Sequence, residues 1–162
     1  LPEPLAAGQL QYLGGKIHYM GGANLLREDV GVHYALDLNN LSAGWVALAP
    51  LNNPRNHPGS AVYNGKIYFI GGAHNQDDNA ITQKTVEVYH SDTDTWTAAA
   101  DMPVARDHIS SSVAVIGSRI LVLGGETSHN VRSKLVSAYS PATDSWTELP
   151  PLPETNLRAW LQ

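Results

Sequence analysis

The sequence predicts an all-β fold of repeated four-stranded antiparallel units, the blades of a β-propeller, with about three blades in 162 residues. Three observations carry this. Gly-Gly pairs recur at Gly21-Gly22, Gly71-Gly72 and Gly124-Gly125, spaced by 50 and then 53 residues. Tryptophans keep nearly the same period at Trp45, Trp96 and Trp146, spaced by 51 and then 50. Between each pair and its tryptophan lies a β-like run, at 32–38, 85–90 and 135–140. Markers recurring in one order at one period signal a repeat architecture, and four antiparallel strands per repeat make a propeller blade.

The middle unit shows how each blade divides. A first strand (a) is expected near 60–63 and a second (b) at 66–70, joined by Asn64-Gly65, a two-residue hairpin signal. A third strand (c) follows at 85–90 and a fourth (d) at 95–99, joined by the turn Ser91-Asp-Thr-Asp94. The runs are short, apolar or alternating, and bounded by turn residues, as strands are. No stretch sustains a 3.6-residue apolar period, so helix content should be very low. Each Gly-Gly closes strand b, where a sharp turn with positive φ lets neighbouring backbone approach. The pairs lack G-x-G-x-x-G spacing and open no helix, so they are not phosphate-binding glycines. Tyr89 and Tyr139 stand seven residues before their tryptophans, with Leu38 at that place in the first unit. These rings are expected to pack between blades while their N–H and O–H groups find local partners.

The Gly-Gly after strand b, the Tyr ending strand c, the Trp opening strand d and the Arg in the following linker resemble the kelch repeat over essentially the whole chain. The blades are expected at 1–50, 51–101 and 102–150, with the start of a fourth at 151–162. Three blades fall short of the four to eight that close a ring, and residues 1–14 begin in mid-phase. The chain is therefore expected to be a piece of a longer propeller, or a half-ring that pairs with a second copy as a homodimer closing six blades.

The linkers from d into the next a read Asn53-Pro-Arg55-Asn-His57-Pro and Val104-Ala-Arg106-Asp-His108-Ile. Each Arg follows its Trp by ten residues and each His follows its Arg by two. Because strands alternate in direction, these linkers emerge on the same face as the b–c loops, and strand a lines the central channel. Arg55, His57, Arg106 and His108 are thus candidate ligand-binding residues at the channel mouth, with Ser60 and Ser111 as channel-lining hydroxyls. A rim of guanidinium groups would suit carboxylate or phosphate ligands, and the kelch resemblance implies arginines of this linker binding acidic segments. The alternative is structural: each Arg bonds carbonyls of the adjacent blade and each His packs beneath it. After Trp146 the pattern changes to Asn156 and Arg158 without His, and Trp160 lies outside the repeat.

The b–c loops, 23–31, 73–84 and 126–134, vary most, as specificity-bearing loops on a rigid scaffold do. The acidic middle loop lacks the ligand spacing of a calcium loop. His74 and His129 occupy equivalent loops and are read as exposed rather than metal-binding.

The expected function is a non-catalytic recognition module for a protein segment or glycan, acidic in character, with no catalytic residue, cofactor or metal. The resemblance also implies two enzyme alternatives, a sugar oxidase and a sialic-acid epimerase, with Glu126, His57 and His108 as acid–base candidates for the latter, and a purely architectural scaffold is a further alternative. The oxidase's Cys–Tyr crosslink needs a cysteine, and the chain has none. A net charge of −5 without any basic block argues against nucleic acid, and no apolar run approaches the length of a membrane span. Eukaryotic cytosolic kelch domains often contain several cysteines, so the resemblance, with the absence of cysteine and the Asn/Asp/Thr-rich turns, implies an exported bacterial or extracellular protein.

Overall fold

The computed structural model describes residues 1–153 and consists of three four-stranded antiparallel sheets in succession. The first contains β1 (Gln9–Leu13), β2 (Lys16–Met20), β3 (His33–Asp37) and β4 (Trp45–Ala47). The second contains β5 (Gly59–Tyr63) and β6 (Lys66–Ile70). A short ribbon, β7 (Ala73–His74) with β8 (Ile81–Thr82), precedes the sheet's last strands, β9 (Val86–His90) and β10 (Thr95–Ala99). The third contains β11 (Val113–Ile116), β12 (Arg119–Leu123), β15 (Val136–Ser140) and β16 (Ser145–Leu149). Its ribbon is β13 (Glu126–Ser128) with β14 (Val131–Arg132). Each sheet runs in chain order, a-b-c-d, and among the described residues helix is limited to short 3₁₀ turns at Leu41–Ala43 and Asp77–Asn79. Asn156, Arg158, Trp160 and most of the expected fourth-blade start lie outside the described residues.

Blade stacking explains why strand b is more deeply buried in the middle unit than in its neighbours. Ile67 and Phe69 of β6 pack towards the first blade with Met20, Leu51, Tyr89 and Trp96. Tyr68 and Ile70, on the other face, join Val86, Val88, Met102, Ile109, Ile120, Val122 and Tyr139 towards the third. In β2 and β12 only alternate residues are buried, because only one face of each is covered. Strand a is innermost: β5 packs between β1 and β11. At Gly59 a Cβ would lie 2.3 Å from Val113 Cγ2, so that packing requires glycine.

The Gly-Gly turns behave as expected. Gly71 and Gly72 have φ of 58° and 100°. A Cβ on Gly71 would sit 2.3 Å from Arg106 O, and one on Gly72 2.6 Å from Asn56 O. The pair is thus pressed between two successive linkers.

A repeated two-pronged clamp joins the blades. Trp96 Nε1 donates to Ala49 O at 2.9 Å, while Ala49 N donates to Asp94 Oδ1 at 3.0 Å. One blade on, Trp146 Nε1 donates to Ala100 O at 2.8 Å and Ala100 N to Asp144 Oδ1 at 2.7 Å. The same carboxylates accept from Tyr89 and Tyr139 hydroxyls at 2.9 and 2.7 Å. Between the first two blades a buried histidine pair adds to the interface. His18 Nδ1 and His33 Nε2 lie 2.8 Å apart, and the His33 ring meets Tyr89 edge-on. Burial first, then the neighbouring His18, lowers the His33 pKa to about 4.

One alignment is corrected. Trp96 faces Tyr89 and Trp146 faces Tyr139 across c and d, but Trp45 faces Leu36, not Leu38. The first c–d connection is two residues longer and winds into the Leu41–Ala43 turn, which shifts the count from the tryptophan.

Candidate functional site

The d–a linkers and b–c loops emerge on one face and enclose a cleft of about 280 Å³, lined among others by Arg27, Asn56, His57, Asn75, Asp107 and His108. Its floor repeats from blade to blade. Linker residues Ala6, Asn56 and Asp107 make antiparallel bridges to Ala23, Ala73 and Glu126, the residues directly after each Gly-Gly. The next linker residue takes left-handed backbone each time, at Ala7 (φ 55°), His57 (49°) and His108 (50°).

The structure brings His57 and His108 together. Their rings stack with centroids 4.2 Å apart and planes 20° from parallel. His57 Nδ1 is 2.6 Å from Asn56 Oδ1, and His108 Nδ1 is 2.8 Å from Asp107 Oδ1. Both supporting residues are buried. Asn56 Nδ2 donates to Asp29 Oδ1 at 2.5 Å and Asn75 O at 2.8 Å, and Asp107 Oδ2 accepts from Thr82 Oγ1 at 2.9 Å. The hydrogen bond to Asp107 raises the His108 pKa against the effect of burial. Burial, and then the charge of His108, lowers that of His57.

The arginines are not at the rim, and that expectation of placement is corrected. Arg55 and Arg106 have no exposed surface. Arg55 Nε donates to Gly71 O at 2.6 Å, Nη1 to Asn53 O at 2.7 Å and to Glu87 Oε2, and Nη2 to Phe69 O at 3.0 Å. Arg106 donates to Val122 O and Leu135 O, both at 3.2 Å, and to Ser137 Oγ at 2.5 Å. Its counter-charge is one strand further out, because Ser137 Oγ donates on to Glu148 Oε1 at 2.6 Å. Ser137 occupies the place of Glu87, and Glu148 is its cross-strand partner. The physical reason for the inward turn is that the carbonyls of Phe69, Gly71, Val122 and Leu135, and beside Arg55 the buried Glu87 carboxylate, need donors.

Ser60 is likewise not free to line a channel. It is buried, donating to Gln9 Oε1 at 2.9 Å and accepting from Gln11 Nε2 at 2.8 Å, which ties β5 to β1. Ser111 is exposed in the turn before β11.

The variable loops are pinned to one another. Arg27 Nη2 pairs with Asp77 Oδ2 at 2.6 Å, and its Nε donates to Gln76. His74 Nε2 is 2.6 Å from Asn53 Oδ1, and His129 lies 3.6 Å from Asp78. Asp107, His108 and Glu126 have donor atoms within 4.8 Å of one another, the set here that could hold a cation or pair acid with base. Sequence reasoning missed Asn56 and Asp107 as anchors, although both stand directly before the two histidines. It also missed Leu51, Met102 and Leu152, which recur six residues after each tryptophan and make the same backbone bond, to Gly31, Lys84 and Lys134.

Comparison with known proteins finds the Kelch motif at residues 54–103 and 110–153. The Kelch-like protein terF of Aspergillus terreus is 30% identical over 158 residues, covering 92% of this chain and 33% of that protein. Kelch-like ECH-associated protein 1B of Danio rerio is 34% identical over 95 residues, 57% of this chain and 16% of that protein. Among solved structures YjhT matches with a TM-score of 0.77 and 16% identity, over 93% of this chain and 53% of that one, a likeness of fold. The chain spans a third or less of the two relatives' length.

Proposed function

The chain belongs to the kelch-repeat family, and we propose that it is a recognition module binding a segment of a partner protein at the loop face, with His57 and His108 as contact residues. The observation that carries this reading is the stacked histidine pair over a cleft built from loops of all three blades, each ring anchored by a buried side chain. Rigid anchoring of exposed polar groups lowers the ordering cost of binding. A relative whose name records association with another protein supports the same class of function. Arg55 and Arg106 act in this reading as positioning residues that hold the linkers, and Ser111 contributes an exposed hydroxyl.

A peptide library displayed on phage tests the reading, selected on the chain and rescreened against His57→Asn/His108→Asn. Enriched peptides should lose about tenfold or more in affinity. Peptides that keep their affinity, or a library that yields none while a glycan array yields ligands, would contradict it.

We further propose a homodimer as the second partner, pairing the end faces of the first and third sheets. Ala43 stands where the later blades carry the clamp aspartate two residues before Trp, and Pro150 stands where Ala49 and Ala100 offer an N–H. In that pairing the Trp45 indole of one copy would donate to Pro150 O of the other, without an aspartate prong beside it. Light scattering should then give twice the monomer mass across a dilution series, and a monomer throughout would refute the pairing.

A further inference from the structure

The mouth of the cleft has a definite hydrogen-bonding polarity. Asn56 Nδ2 is committed to Asp29 and Asn75, so the atom facing His57 Nδ1 is the acceptor Oδ1. His108 Nδ1 faces a carboxylate oxygen of Asp107. Acceptors at both Nδ1 positions place the proton there, and each neutral ring then keeps its lone pair on Nε2. Neither Nε2 has a protein partner among the described residues. The ring centroids lie 4.2 Å apart in one cleft, which keeps the two acceptor nitrogens close enough to be reached by one ligand segment.

The charges around them that have no guanidinium or ammonium partner are negative. Asp29 accepts from Asn56 and Asn75, Asp107 from Thr82 and His108, and Glu126 from Asn130 N. Apart from the imidazoles, the donors to these three carboxylates are uncharged. Arg27, the guanidinium lining the cleft, is already paired with Asp77, while Arg55 and Arg106 are buried below. Excess negative charge in a cleft concentrates cations.

Resting on the recognition reading above, we propose that this cleft receives a basic side chain of the partner segment, seated on Nε2 of His57 and Nε2 of His108 opposite Asp107 and Glu126. An ammonium carries three donors and no acceptor, which matches two neighbouring lone pairs backed by carboxylates. Asp107 already favours positive charge at this spot, since its hydrogen bond raises the His108 pKa. A partner cation takes the place of that proton. The polarity is opposite to what an exposed arginine rim would select.

The test uses fluorescein-labelled tetralysine and tetraglutamate, with polarisation read at about pH 8, above the ordinary imidazole range. Tetralysine should bind, and tetraglutamate should not. His57→Asn/His108→Asn and, separately, Glu126→Gln should each weaken tetralysine by about tenfold, while His90→Asn, far out on the second blade, should leave it unchanged. Asparagine tolerates the left-handed backbone at both positions, and circular dichroism checks that each variant folds. Tetraglutamate binding that is lost in the double histidine variant would overturn the polarity but leave the recognition reading standing. Tetralysine binding that survives both variants would mark attraction to a chain of net charge −5 and overturn the site. Binding of neither peptide would also overturn it.

Discussion

Replacing Arg55 with methionine should unfold the loop face from below. The guanidinium is fully buried and serves Gly71 O, Asn53 O, Phe69 O and the Glu87 carboxylate. Methionine fills much of the volume but donates nothing. Glu87, whose side chain is 5% exposed, would keep only its bond from Asn52 N and would stand as an uncompensated buried charge. Breaking a buried ion pair in this way costs about 3–5 kcal/mol, and each carbonyl left without its donor adds about 1 kcal/mol. The sum is comparable to the whole stability of an ordinary domain. Adding Glu87→Leu should return the ion-pair part and leave only the carbonyl part, so a double-mutant cycle should show about 3 kcal/mol of coupling. Urea unfolding followed by tryptophan fluorescence is the assay, because Trp96 packs in one cluster with Phe69, whose carbonyl Arg55 serves. An Arg55→Met protein within about 1 kcal/mol of the parent would refute the assignment of Arg55 to the interior.

Stability should fall with acid through the His18–His33 pair. The His33 pKa is about 4 in the folded chain against 6.5 unfolded, so the unfolded chain binds more protons between these values. The contribution is fully present above about pH 6.5 and lost as pH falls through about 4, worth about 3 kcal/mol. Urea midpoints across that range should show the loss, and His33→Gln should flatten it; an equal slope in the variant would contradict the assignment. Asp94→Ala removes the acceptor of both Ala49 N and Tyr89 Oη and should cost about 2–3 kcal/mol. Asp92→Ala in the same turn should cost less than about 0.5 kcal/mol, and equal effects by thermal unfolding would refute the clamp.

What the sequence disclosed follows from how local each feature is. Strands b and d of the middle blade lie where their apolar runs and turn residues put them, at Lys66–Ile70 and Thr95–Ala99. The turn of each Gly-Gly was readable because glycine's backbone freedom is a property of the residue itself. Counting back from a tryptophan failed at Leu38, because a two-residue insertion in one turn leaves no mark on the strand pattern. Arg55 and Arg106 mislead for a different reason. Periodic spacing locates the linker but not the direction of a long side chain, and that direction is set by carbonyls of Phe69, Gly71, Val122 and Leu135, residues distant in sequence. A signal was nevertheless present. Glu87 sits between Val86 and Val88 in strand c, and the spacing of Asp94 and Asp144 from the tryptophans marks a structural clamp.

The central claim, that the linker arginines build the platform while His57 and His108 meet the ligand, is tested most directly by long-range ¹H–¹⁵N spectra of the imidazoles with and without tetralysine. The account predicts that both rings carry the proton on Nδ1 at about pH 8, and that their Nε2 resonances shift on binding while those of buried His18 and His33 stay still. Protons on Nε2 in the free protein, or Nε2 resonances at His57 and His108 that ignore the bound peptide, would contradict it.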